Sequence, residues 1–98
     1  MATSVDLVVA DNAEKQRYEA RQGSEVVGFI LYRLDPGRIT LIHTEVAPAL
    51  EGKGIASQLV TGALDDIRRR GLTIVPICPF VRAYLRRHPE YADLVARK

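Results

Sequence analysis

The chain has no tryptophan, one cysteine (Cys78) and one methionine among its 98 residues. A single cysteine excludes an internal disulfide, and neither it nor the two histidines stand at zinc-ligand spacing, so no metal is expected. No apolar run approaches the roughly 20 residues that a bilayer requires, and the start Met1-Ala2-Thr3-Ser4-Val5-Asp6 lacks the basic-then-apolar layout of a secretory leader. No membrane contact and a cytoplasmic location are therefore expected. A formal net charge of +2 is too small to point to nucleic acid. Internal repeats and low-complexity stretches are missing as well. What remains is 47% hydrophobic and 27% charged, the balance of a globular protein, and residues 1–98 suffice for a single domain with one core.

In chain order, Val5, Leu7 and Val9 mark a short strand that ends at Asp11-Asn12. Residues 15–21 alternate, with Tyr18 and Ala20 on one face and Arg17, Glu19 and Arg21 on the other. After a turn at Gln22-Gly23-Ser24, residues 25–34 form an almost continuous apolar run, expected to be a central strand covered on both faces. Asp35-Pro36-Gly37-Arg38 is the next turn, proline presetting φ and glycine taking the left-handed position. Arg38–Val46 alternates again, which completes an antiparallel meander of four strands. Ile55, Leu59, Ala63, Leu64 and Ile67 then recur at helical spacing, and Arg68-Arg69-Arg70-Gly71 closes that helix with cations at its negative end. Residues 72–77 read as a fifth strand, parallel to the fourth because a helix intervenes. Pro79–Arg87 reads as a helix, interrupted by His88-Pro89 before an amphipathic tail with Tyr91, Leu94 and Val95. The expected class is α/β (α+β).

The chemistry concentrates in residues 43–57, where a strand end meets a helix start through a glycine-rich turn. Gly52 and Gly54 permit φ > 0 and close approach of a ligand, while the first helical turn leaves amide N–H groups unpaired. Together they make an anion cradle suited to phosphate. A phosphate-binding P-loop would need Gly-x-x-x-x-Gly-Lys-Ser/Thr, but Lys53 lies between the glycines and no Ser or Thr follows it directly. A dinucleotide fingerprint would need an acid at the end of the next strand, which instead ends Pro76-Ile77-Cys78. The plain alternative is a strand-to-helix connection whose glycines only permit the turn.

Val46-Ala47-Pro48, Gly52 and Gly54-Ile55-Ala56 match a third pattern. It resembles the acyl-CoA loop of the GNAT acetyltransferase superfamily, with Glu51 standing where that family usually has Gln or Arg. Asp11-Asn12, Arg17-Tyr18-Glu19, His43-Thr44-Glu45-Val46, Glu51-Gly52-Lys53-Gly54, Pro76-Ile77-Cys78-Pro79-Phe80 and His88-Pro89-Glu90-Tyr91 further resemble its short, single-domain GNAT-like branch. The resemblance covers most of the chain and implies a minimal GNAT fold. It implies acetyl-CoA as co-substrate, held by Val46, Glu51, Gly52, Lys53, Gly54, Ile55, Ala56 and Ser57. It also implies N-acetyl transfer to an amine acceptor, which a protein could carry. Longer GNAT enzymes wall the acceptor pocket with helices between the first two strands, and residues 10–14 are too few for that. The acceptor side should be open, fitting an amine that protrudes from a large partner, or completed by another subunit of an oligomer.

Acetyl transfer to an amine needs a base, donors for the oxyanion and an acid for the departing thiolate. A strand period of two places Leu41, His43 and Glu45 on one face, with Glu45 nearest the cradle, so Glu45 with His43 is a candidate base. The plainer reading makes His43 a core histidine and Glu45 a rim charge. Cys78 ends the fifth strand just before Pro79, and a thiol at a helix start meets the positive end of the dipole. There it could take up the acetyl group, although a lone cysteine is also a common buried hydrophobe. By resemblance the fifth strand diverges from the fourth beside the thioester, which brings Cys78 to the reacting carbon. Tyr84 is a candidate acid or a core residue. Arg82 and Arg86, one turn apart, and Arg87 could meet the coenzyme's 3′-phosphate or simply face water. Two non-enzymatic readings remain: an acyl-CoA-binding regulatory module without turnover, and an interaction domain whose loop binds no nucleotide.

Overall fold

A computed structural model describes residues 7–50, 52 and 54–96. Strands β1 (Leu7–Asn12), β2 (Arg17–Gln22), β3 (Glu25–Asp35) and β4 (Arg38–Val46) precede helix α1 (Ile55–Arg69), which leads to β5 (Thr73–Pro76) and helix α2 (Pro79–Arg87). The five strands lie in one sheet in chain order, antiparallel except for β4 and β5. Val5, read as part of the first strand, lies outside the described residues. Residues 13–16 form only a turn between β1 and β2, so no helix stands there. Gly37 takes the left-handed φ of 73° that the two-residue link from β3 to β4 demands.

Helix α1 buries Ile55, Leu59, Val60, Ala63, Leu64 and Ile67, a stripe at helical spacing laid across the sheet. Each such aliphatic side chain contributes roughly 1.5–3 kcal/mol by leaving water. Its C-terminal end is tied down by a polar cluster: Tyr18 donates to Asp66 at 2.7 Å, Tyr32 to Asp11 at 2.6 Å, and Arg70 reaches both carboxylates. Helix α2 lies on the same face, with Val81 and Tyr84 buried and the Tyr84 hydroxyl hydrogen-bonded to Thr61 of α1. A 3-10 helix (Pro89–Leu94) follows, Tyr91 donating to Asp65 at 2.7 Å. The chain then returns to the sheet, where Ala96 N–H donates to the Ile74 carbonyl at 2.8 Å. Among the described residues, no helix is long and apolar enough to cross a membrane.

Coverage of β3 differs from the expectation. It is central in the sheet, but its helix face alone is covered among the described residues; Phe29 and Leu31 on the other face are half-buried and Val26 is exposed. A β-bulge explains the apolar run. Ala20 pairs with Gly28 and Arg21 with Val26, so the extra residue Val27 and its neighbour Gly28 both end up buried.

Glu19 lies on the open face, yet its side chain is 1% exposed. Arg17 Nε donates to it at 2.7 Å, Arg21 through Nε at 3.0 Å and through its terminal nitrogen at 2.5 Å, and the Asn12 amide at 3.1 Å. Burial alone would push this carboxyl up, but the two guanidiniums and the amide outweigh it and hold the carboxyl at about 2.

Candidate functional site

A second bulge shapes the site. Leu31 pairs with His43 and Tyr32 with Leu41, which leaves Ile42 as an extra residue in β4. Side-chain parity therefore inverts after Leu41. Thr44 and Val46, paired with Ile30 and Gly28, share the helix face with Leu41, while His43 and Glu45, paired with Leu31 and Phe29, turn to the open face. The expectation that Leu41, His43 and Glu45 share a face is thus overturned: Leu41 is in the core, and the His43 and Glu45 side chains are 54% and 63% exposed.

The bulge coincides with the place where β5 leaves β4. Their register ends at Leu41 opposite Pro76, and the N–H groups of Ile77 and Cys78 both close on the Leu41 carbonyl at 3.0 Å. Beyond that point the edge of β4 faces a gap. Ala47 N–H donates to the Val27 carbonyl at 2.8 Å, which marks those two residues as a hydrogen-bonding pair. Antiparallel alternation then directs the backbone of Glu45 and His43 toward β3, and that of Thr44 and Val46 toward the gap.

A cavity of about 330 Å³ opens at this gap, lined by Thr44, Val46, Leu50, Gly52, Gly54, Ile55, Ala56, Ser57 and Phe80. Gly52 and Gly54 have φ of 85° and 78°, and Gly54 precedes α1 without any side-chain cap. The first bond inside the helix runs from Gln58 N–H to the Gly54 carbonyl at 3.1 Å. Among the described residues, the N–H groups of Ile55, Ala56 and Ser57 make no hydrogen bond, and the cavity opens over this turn. Preorganised amides at the positive end of a helix favour an anion there. Val46, Gly52, Gly54, Ile55, Ala56 and Ser57 are brought together around this space, whereas Glu51 and Lys53 lie outside the described residues.

Cys78 is the N-cap of α2 and is 2% exposed. Its sulfur is 3.2 Å from the Thr44 hydroxyl, so the thiol lies just behind the wall that Thr44 contributes to the cavity. Across β4, His43 Nε2 is 3.5 Å from a Glu45 carboxylate oxygen. Glu45 also borders a shallow hollow of about 200 Å³ with Val26, Phe29 and Pro48. Tyr84 points its hydroxyl at Thr61 and stacks on His88 at 4.0 Å; it does not line the cavity. Arg82 and Arg86 form no ion pair among the described residues, and helical spacing sets them on the flank of α2 opposite Phe80. Thr44, Leu50 and Phe80 were not among the sequence candidates. Phe80 had a signal: a large apolar residue at the second position of a helix that starts beside the gap.

A family model described as GCN5-related N-acetyl-transferase matches residues 17–94. The solution structure of a GCN5-like protein from Staphylococcus aureus superposes with a TM-score of 0.68 at 20% identity, covering 99% of this chain and 93% of that one. The crystal structure of a ribosomal-protein-alanine N-acetyltransferase from Brucella melitensis biovar Abortus 2308 gives 0.55 at 24% identity, covering 84% of this chain and 62% of that one. At these identities the two likenesses speak to the fold.

Proposed function

This chain belongs to the GCN5-related N-acetyltransferase family, and from that premise we propose that it binds acetyl-CoA at the α1 cradle and moves the acetyl group to an amine on a large acceptor. The observation that carries the reading is the cavity itself. Three first-turn amides without partners among the described residues and two left-handed glycines border it, and it opens directly onto the unpaired edge of β4. A pyrophosphate on those amides leaves the pantetheine arm to follow the Thr44 and Val46 backbone as an added strand.

The acetyl carbonyl then lies in the gap, and the acceptor approaches from the open face, where Glu45 and His43 stand. Glu45 with His43 takes the proton from the attacking amine as its nitrogen bonds to the carbonyl carbon. The carbon–sulfur bond breaks, and the coenzyme leaves as a thiol once protonated. Cys78 supplies an alternative first step: its sulfur displaces the coenzyme thiolate, holds the acetyl group as a thioester, and yields it to the amine. The turn at residues 13–16 leaves the acceptor side without a helical wall, which suits a large acceptor. The same openness favours a second reading, an acyl-CoA-binding regulatory module without turnover.

Calorimetric titration with acetyl-CoA tests the binding step. Thiol release is then followed with lysine peptides, polyamines and free amino acids, and intact mass is recorded for wild type and Cys78→Ala. Release with a peptide amine, and an acetyl adduct present in wild type but absent from Cys78→Ala, are expected. Binding without release or adduct selects the regulatory module, and no binding removes both readings.

A further inference from the structure

We propose that the open sheet face beside the gap selects its acceptor: a polypeptide segment that carries the reacting amine and, about 10 Å from it, a carboxylate. The inference rests on the acetyltransferase reading above for the identity of the amine, but its recognition chemistry stands on the face alone. Cross-strand register sets the residues in rows. Glu19 of β2, Phe29 of β3 and Glu45 of β4 form one row, and Arg17, Leu31 and His43 the next. Charge is therefore divided laterally across an apolar stripe, acidic on the β4 side by the gap and basic on the β2 side.

The basic side is built rather than incidental. Two guanidiniums share the single buried carboxylate of Glu19, which leaves one positive charge in excess. Arg17 is held further by its guanidinium lying 4.8 Å from the centre of the Phe29 ring. Glu19 receives the Nε–H of both arginines and one terminal N–H of Arg21, so the remaining terminal N–H donors of Arg17 and Arg21 are left for a ligand. Such a fixed fork suits a carboxylate better than a flexible ammonium would. Strands two places apart in a sheet are separated by about 10 Å, which sets the distance between the ammonium near Glu45 and the acid near Arg17 and Arg21. Leu31, half-buried between them beside the Phe29 ring that Arg17 covers, offers the contact for an apolar side chain.

The test uses labelled nonapeptides with one lysine, a leucine two residues on, and Glu, Gln or Arg four residues beyond the lysine, so that all three side chains share one face of an extended chain and the roughly 13 Å between the charged positions lets the flexible side chains close on that spacing. Their affinities are measured by fluorescence anisotropy with coenzyme A present. Because an exposed charge pair is worth little, the Glu peptide should bind about three- to fivefold more tightly than the Gln peptide, and the Arg peptide more weakly still. The preference should vanish in Arg21→Gln, persist in the distant control Arg69→Gln, and shrink in wild type at about 0.5 M salt. The salt series needs no variant to fold. Equal affinities for the three peptides, or no binding at millimolar concentration, would overturn the proposal. A Glu preference without acetyl transfer supports the docking face and removes the enzymatic reading, whereas transfer without preference does the reverse.

Discussion

Replacing Glu19 by glutamine keeps the shape of the side chain and removes the charge around which Arg17, Arg21 and Asn12 are arranged. The folded chain holds this carboxyl at about 2, against an ordinary value of 4.5. The native state therefore binds fewer protons than the unfolded state between those values. The stabilisation is complete above about pH 4.5 and is lost as pH falls toward about 2. At about 1.4 kcal/mol for each tenfold change in proton affinity, the difference caps the effect at about 3–4 kcal/mol. The Arg21 side chain is 43% exposed, so water screens its share and about 1–2 kcal/mol is the expected contribution. With no tryptophan in the chain, urea unfolding is best followed by far-UV circular dichroism. At pH 7 wild type should exceed Glu19→Gln by that amount, and the two should converge only as pH falls below about 2. A gap that stays constant with pH would refute the electrostatic account and leave packing as the role of Glu19.

Gly62 of α1 meets β1 so closely that an added Cβ would lie 2.7 Å from Val9 Cβ, an atom fixed to the backbone. Overpacking of about 1–3 kcal/mol, less about 1 kcal/mol of helix propensity gained, should leave Gly62→Ala with a melting temperature below wild type by up to several degrees; a melting temperature above wild type would contradict that contact. In Gly54→Ala no neighbour clashes, but the left-handed φ of 78° costs about 1–2 kcal/mol, and the turn should shift. Acetyl-CoA affinity, measured by calorimetry, should fall about five- to tenfold; unchanged affinity with reduced stability would mean that the turn serves the fold alone.

The strand and helix pattern was legible because each boundary carries a local device. Gly37 and Gly71 adopt left-handed φ, Pro79 opens α2, and Ile39 and Leu41 alternate with polar neighbours in the first half of β4. What escaped was the bulge at Ile42. Its mark is only the apolar doublet Leu41-Ile42, too brief to separate a bulge from a strand covered on both faces, yet it decides which of Thr44 and Glu45 faces the cavity. Burial of Glu19 escaped for a related reason: its cover comes from arginine and asparagine side chains folding over it, which hydropathy reads as solvated. The tie between Tyr18 and Asp66, 48 residues apart, likewise exists only once α1 crosses the sheet. The glycine loop was found in sequence, but Thr44 and Phe80 joined its cavity only through the divergence of β4 and β5.

Bare amides at the start of α1 are proposed to grip the coenzyme. Titrating acetyl-CoA into the 15N-labelled protein and following backbone amide resonances tests this grip most directly. The largest shifts should fall on Gly54, Ile55, Ala56 and Ser57, with Thr44 and Val46 next, because these N–H groups lie at the cradle and along the open strand edge. Shifts confined to the opposite sheet face, or a spectrum unchanged at saturating acetyl-CoA, would contradict it.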